Sequence, residues 1–110
     1  YAESLRLIIS GTARIDREGR TLFGDSTERQ IEQTLRIVDA LLQSRKMGWG
    51  DILRSICYFK DLNDQALFER ICARTGVPAF PAVAVGADVC RHDLSFEIEV
   101  DAVCPVSGRD

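Results

Sequence analysis

The sequence predicts an α+β domain of two layers, a mixed β-sheet covered on one face by two helices. Three observations predict it. Leu94, Phe96, Ile98 and Val100 alternate strictly with Ser95, Glu97, Glu99 and Asp101, which is the period of a strand with one apolar face. Ile31, Leu35, Val38 and Leu42 recur at helical spacing and define one buried stripe. Extended runs are separated by helical ones, which calls for crossover connections and hence some parallel pairing.

The elements follow in order. Leu5 to Ile9 is a short apolar strand, and Ala13 and Ile15 continue the extended reading beyond Ser10-Gly11-Thr12. Asp16 to Gly24 is polar and carries two glycines, so it is a connection. Asp25, Ser26 and Thr27 offer N-cap groups for a helix running to about Lys46, with Gly48 and Gly50 ending it. Ile52 to Lys60 is the next strand. Its alternation puts Leu53, Ser55, Cys57 and Phe59 on one side and Ile52, Arg54, Ile56 and Tyr58 on the other. A second helix spans about Asp64 to Arg74, with Leu67, Phe68, Ile71 and Cys72 as its stripe, and Gly76 and Pro78 stop it. Pro81 to Ala87 and Leu94 to Cys104 are the last strands. The order is β-β-α-β-α-β-β, a single domain over residues 1–104 with a tail at 105–110. Two helices cover only one face, so the other, carrying Ile52, Ile56 and Tyr58, calls for a partner subunit.

Bulk properties exclude several classes. A chain of 110 residues has room for one modest core. A net charge of -3 gives no nucleic-acid footprint, which needs a clustered basic excess. No apolar run approaches the ~20 residues of a membrane-spanning helix. The four cysteines, Cys57, Cys72, Cys90 and Cys104, form no Cys-x-x-Cys pair, and His92 is the only histidine, so neither a metal site nor a cofactor is expected. Reduced cysteines packed as small hydrophobes fit a cytoplasmic protein. A ribonuclease reading finds no histidine pair and no basic cleft. Arg45, Lys46 and Arg54 read as solvated.

Several pieces of the chain resemble the Rid (YjgF) superfamily: Ile9-Ser10-Gly11, Gln33-Thr34-Leu35, Gly50-Asp51-Ile52, Phe59-Lys60-Asp61-Leu62-Asn63-Asp64, Phe80-Pro81-Ala82 and Phe96-Glu97-Ile98-Glu99. The resemblance covers nearly the whole chain. It implies the Rid fold, which is chorismate-mutase-like, and a homotrimer with ligand clefts between subunits. Rid imine deaminases carry an arginine directly after the Pro-Ala of the penultimate strand, where it grips a substrate carboxylate. Here that position is Val83, and valine cannot form a bidentate carboxylate clamp.

A further run, Ala87-Asp88-Val89-Cys90-Arg91 followed by Asp93-Leu94 and Glu97-Ile98-Glu99, resembles the C-terminal, Rid-like half of the chorismatases. These hydrolyse chorismate to pyruvate and a hydroxybenzoate or related product. The resemblance implies Glu97 as proton donor and Cys90 as a pocket-shaping residue, and Ser10-Gly11-Thr12-Ala13 also suits that family. Arg91 is a candidate for holding a substrate carboxylate, and Gly11, Thr12 and Ala13 are candidates for lining the pocket. The half that binds most of the substrate in chorismatases has no counterpart in this sequence. Protonation of an enolpyruvyl carbon needs a carboxylic acid kept protonated near neutral pH by burial or by a like charge. Glu99, on the same side of the strand as Glu97 and about 7 Å away, is such a charge. Three readings stand at this point: a chorismatase-type enzyme domain acting on a small carboxylate-bearing metabolite, a Rid imine deaminase, and a non-catalytic ligand-binding or oligomerisation domain. The alternation of Glu97, Glu99 and Asp101 is also the pattern of a solvated strand face.

Overall fold

A computed structural model of the chain describes residues 4–12, 26–86 and 95–105. The elements are β1 (Ser4–Thr12), α1 (Thr27–Ser44), β2 (Ile52–Phe59), α2 (Gln65–Thr75), β3 (Val83–Gly86) and β4 (Phe96–Pro105). The four strands form one sheet in the order β1-β4-β2-β3. β4 is antiparallel to both its neighbours, and β2 and β3 are parallel, as the crossover through α2 requires. The predicted two-layer α+β architecture with a mixed sheet and two helices is what forms. The extended stretch expected at Ala13 and Ile15, and the tail from residue 106, lie outside the described residues.

Local chemistry sets the helix ends. The Ser26 hydroxyl accepts the Arg29 N–H at 3.2 Å and caps α1. Its far end differs from the expectation. The helix stops at Ser44 without using Gly48, because Lys46 takes the left-handed conformation (φ 57°) and the Met47 N–H returns to the Leu42 carbonyl at 2.9 Å. Gly76 does terminate α2, at φ 81°, where the lack of a Cβ removes the strain. Between β2 and α2, the Asp61 carboxylate accepts the Asn63 N–H and starts a short 3₁₀ turn.

The core lies between the sheet and the helices. Ile31, Leu35, Val38 and Leu42 of α1 are all buried, as are Phe68 and Ile71 of α2, against Ile9, Cys57, Phe59, Phe96, Ile98 and Val100 of the sheet. Phe59, Phe68 and Phe96 form a triangle of rings with centroids 5.2 to 5.9 Å apart, within the range of favourable aromatic pairing. Trp49 is buried beside Phe80, and its indole N–H donates to Asp39 of α1 at 3.0 Å. Ser55 is buried because its hydroxyl donates to the Pro81 carbonyl at 2.6 Å, which ties the entry of β3 to β2. Cys57 and Cys104 are buried thiols and Cys72 is half-buried.

One face assignment is corrected. Strict alternation put Ile52 on the outer face and Leu53 on the inner. Instead Ile52 is buried and Leu53 is 62% exposed. The pairing explains it. Ile52 opposes Ala102 and Arg54 opposes Asp101, so β2 spends two steps where β4 spends one. Leu53 is the extra residue of a β-bulge, and the alternation changes phase there.

Candidate functional site

The face of the sheet away from the helices is the candidate site. Side chains of alternate residues share a face, so the register builds it in rows. Ile8, Asp101 and Arg54 form one row; Ser10, Glu99, Ile56 and Val83 the next; Glu97, Tyr58 and Val85 the third. Glu97 is half-buried, and in the ladder it stands between Thr12 on β1 and Tyr58 on β2. Tyr58 lies across the ladder from Glu97, with Glu99 in the neighbouring row. Its phenol is raised above the usual value, first by desolvation and then by the charges of Glu99 and Glu97. This places two carboxylates and a phenol within one electrostatic neighbourhood.

The cations of this face are committed elsewhere. Arg6 makes a bidentate pair with Asp101, Nε to Oδ1 at 3.0 Å and Nη2 to Oδ2 at 2.9 Å, and Arg54 adds Nε to Oδ2 at 3.3 Å. Asp101 is only 8% exposed although it sits on the outer face, because the two guanidinia cover it. Arg54 is solvated as the sequence suggested, with 74% of its side chain exposed, and it is also paired with Asp101. Hydrogen bonding from Arg6 is the main force holding the Asp101 carboxyl below the usual carboxylate range. Desolvation opposes it, and the charges of Arg6 and Arg54 add to it.

A depressed carboxyl stabilises the fold fully above its unfolded value, near ~4, and that contribution is lost as pH falls through the lower folded value. Asp101→Asn should therefore melt below the unaltered chain at pH 6, with the gap closing as pH falls below the unfolded carboxyl value of ~4 and through the lower folded one. Thermal melts over that range check it, and a gap that stays constant would show that the ion cluster contributes nothing through its charge.

The candidates named from sequence divide into two groups. Glu97 lies on the outer face as its alternation required. Thr12 lies opposite it in the ladder. Gly11 does not face Glu97. A Cβ there would point into the core, 3.3 Å from the Ile98 side chain and 3.4 Å from that of Thr34. Its absence of a side chain lets α1 approach β1, and only its backbone could serve a ligand. Ala13, Cys90 and Arg91 lie outside the described residues. Their connection enters β4 at Ser95, whose N–H and hydroxyl both donate to the buried Gln30 side-chain carbonyl, at 2.9 and 3.2 Å.

Sequence reading put Tyr58 on the uncovered face but did not set it beside Glu97, nor join Arg6, Asp101 and Arg54 into one cluster. Alternation tells which residues of one strand share a side. It does not tell which sides of two strands coincide until their register is known.

The arrangement suits proton transfer to a small molecule lying on the face. Val83, at the position of the deaminase arginine, is 61% exposed and offers only apolar contact. No group of three or more metal-type side chains converges among the described residues. Among the described residues no helix is long and apolar enough to cross a membrane.

Comparison with known proteins agrees with the fold. The profile of the family described as "Endoribonuclease L-PSP" matches residues 2–104. The chain is 32% identical over 102 residues to the "RutC family protein in leuC 5'region" of Leuconostoc mesenteroides subsp. cremoris, a match that covers 88% of this chain and 78% of that one. It is 28% identical to the "RutC family protein PH0854" of Pyrococcus horikoshii, over 94% of this chain and 84% of that one. Among solved structures, a member of the YjgF protein family from Neisseria meningitidis superposes with a TM-score of 0.70 at 18% identity, covering 91% of this chain and 78% of that one.

Proposed function

The chain belongs to the endoribonuclease L-PSP (Rid/YjgF) family, and from that footing we propose that it hydrolyses small imines on its outer sheet face, with Glu97 as the proton-transfer group. The observation that carries this reading is the pair Glu97 and Glu99 beside Tyr58, on a face whose described cations, Arg6 and Arg54, are both held by Asp101. A protonated imine is a cation, and two carboxylates favour it. The reaction balances as one iminium ion plus one water giving one carbonyl compound plus one ammonium ion. The water oxygen bonds to the imine carbon, and the carbon–nitrogen bond breaks. The Glu97 carboxylate takes one proton from the attacking water and returns it to the departing nitrogen, and the second water proton passes to the released ammonia as the carbonyl forms. This is general base and then general acid catalysis by one group.

Val83 and the committed arginines also shape the substrate. They favour imines without a carboxylate next to the reacting carbon over a carboxylate-bearing ligand. Chorismate, with two carboxylates, would meet Glu97 and Glu99 as like charges, so the chorismatase reading draws no support from the described face.

The same face exposes Ile8 (68%) and Val83 (61%) beside Ile56 and Val103, an apolar patch of the kind that protein contacts cover. We propose that copies of the chain pack on it as a trimer, closing the Glu97 row into a cleft. Light scattering should give the trimer mass, and a monomer at micromolar concentration would overturn the assembly.

The activity is tested by generating imines in situ, from a primary amine with an amine oxidase and from an amino acid with a dehydratase, and following ammonia release. The amine-derived imine should be hydrolysed faster in the presence of the chain, the amino-acid-derived imine less so, and chorismate not at all. Equal rates with and without the chain for both imines would end the proposal. Release of pyruvate from chorismate would restore the chorismatase reading.

A further inference from the structure

A second concavity lies on the helix side of the sheet, opposite Glu97. α2, the 77–82 segment and strands β2 and β3 enclose a pocket of about 420 Å³, a size typical of small-molecule sites. Its aromatic lining is Phe59, Phe68 and Phe80, and the last two rings meet edge to face at 6.3 Å. The space exists because Ala73, Ala79, Ala82 and Ala84 line it where longer side chains would fill it. Such a lining forfeits dispersion contacts while nothing apolar occupies it.

The polar groups are few and placed to one side. Gln65 and Glu69 line the pocket from exposed positions on α2. Of the two cations of the same helix, Arg74 is engaged by Glu28 and Glu32 of α1 at 3.5 and 3.0 Å, and Arg70 makes no ion pair with Glu69. Among the described residues Glu69 has no salt-bridge partner. Its field reaches inward, since the half-buried Cys72 thiol, pushed up to about 11 mainly by burial, is raised further by the Glu69 charge.

We propose that this pocket binds a small primary amine with an aromatic or branched aliphatic body, the body among Phe59, Phe68 and Phe80 and the ammonium at Glu69. The apolar lining supplies affinity through buried area. The single carboxylate selects a cation over a neutral or acidic molecule of the same shape, because only the cation gains a charge-assisted hydrogen bond. The sheet separates this pocket from the Glu97 row, so the inference stands without the proposed imine chemistry.

The test titrates 2-phenylethylamine into the full chain and follows alanine methyl resonances by NMR. The methyls of Ala73 and Ala84 should shift saturably. 3-Phenylpropionate, which carries the same ring on a carboxylate, should bind at least about tenfold more weakly. Glu69→Gln should weaken the amine by about tenfold and leave the acid unaffected or improved. Ala79→Leu should abolish binding by filling the pocket from an exposed position that folding tolerates, and Ala82→Leu, also exposed, serves if the first does not fold. No saturable shift, equal binding of amine and acid, or unchanged binding to a folded Ala79→Leu chain would each overturn the proposal. So would methyl shifts that depend on protein concentration alone, which would make a second copy the occupant.

Discussion

Glu97→Gln is expected to lower the hydrolysis of an amine-derived imine by at least about 100-fold, the lower end of what a positioned acid–base group contributes. The amide keeps the shape of the side chain and its place between Thr12 and Tyr58 in the ladder, but it can neither accept a proton from water nor return one to nitrogen. The loss should fall on turnover rather than on folding, because Glu97 lies outside the core. Glu99→Gln should cost much less. Glu99 adds negative potential beside Tyr58, so its removal should weaken attraction of the cation more than the proton transfer itself. Steady-state rates of the two variants, with melting curves as the folding control, separate these roles. A Glu97→Gln chain that retains most of the acceleration would remove Glu97 from the mechanism.

Phe59→Ala is expected to destabilise the chain by about 3–5 kcal/mol, the range for truncating a buried aromatic. Phe59 is fully buried and packs on both Phe68 and Phe96. It therefore joins β2 to α2 on one side and to β4 on the other. Truncation leaves a cavity that the neighbouring rings cannot fill without leaving their own packing. That loss is a large share of the stability of a small domain, about 5–15 kcal/mol in total. Urea unfolding measures it from the shift in midpoint at unchanged slope, and a shift worth under ~1 kcal/mol would show that the three rings repack around the gap.

The architecture was legible because its signals are local. The stripe Ile31, Leu35, Val38 and Leu42 is a property of one helix, and all four are buried as read. The alternation of Phe96, Ile98 and Val100 against Glu97 and Glu99 likewise gave the two sides of β4. What was not legible depends on pairing between segments. The bulge at Leu53 appears only when Ile52 and Arg54 are set against Ala102 and Asp101. One extra residue moved Ile52 into the core and Leu53 out of it.

The end of α1 was misread for a related reason. Glycines nearby suggested the stop, but Lys46 supplies the left-handed residue two positions earlier. Of the candidate site, Glu97 followed from its strand, whereas its neighbours came from two other strands. Tyr58 and the arginines that Asp101 holds could be placed beside it only through the register of β2 and β1 on β4.

The buried thiol of Cys57 has a use beyond packing. Desolvation, with a smaller contribution from Cys72, pushes it up to about 12, so near neutral pH it is almost wholly in the form that does not attack electrophiles. It also lies at the base of the pocket between α2 and β3, only 2% exposed, where a reagent reaches the sulfur only when the lining moves aside. An alkylating agent added to the intact chain should therefore report the frequency of opening rather than the chemistry of the sulfur. The chain carries its own clock for the rarest fluctuations of its centre.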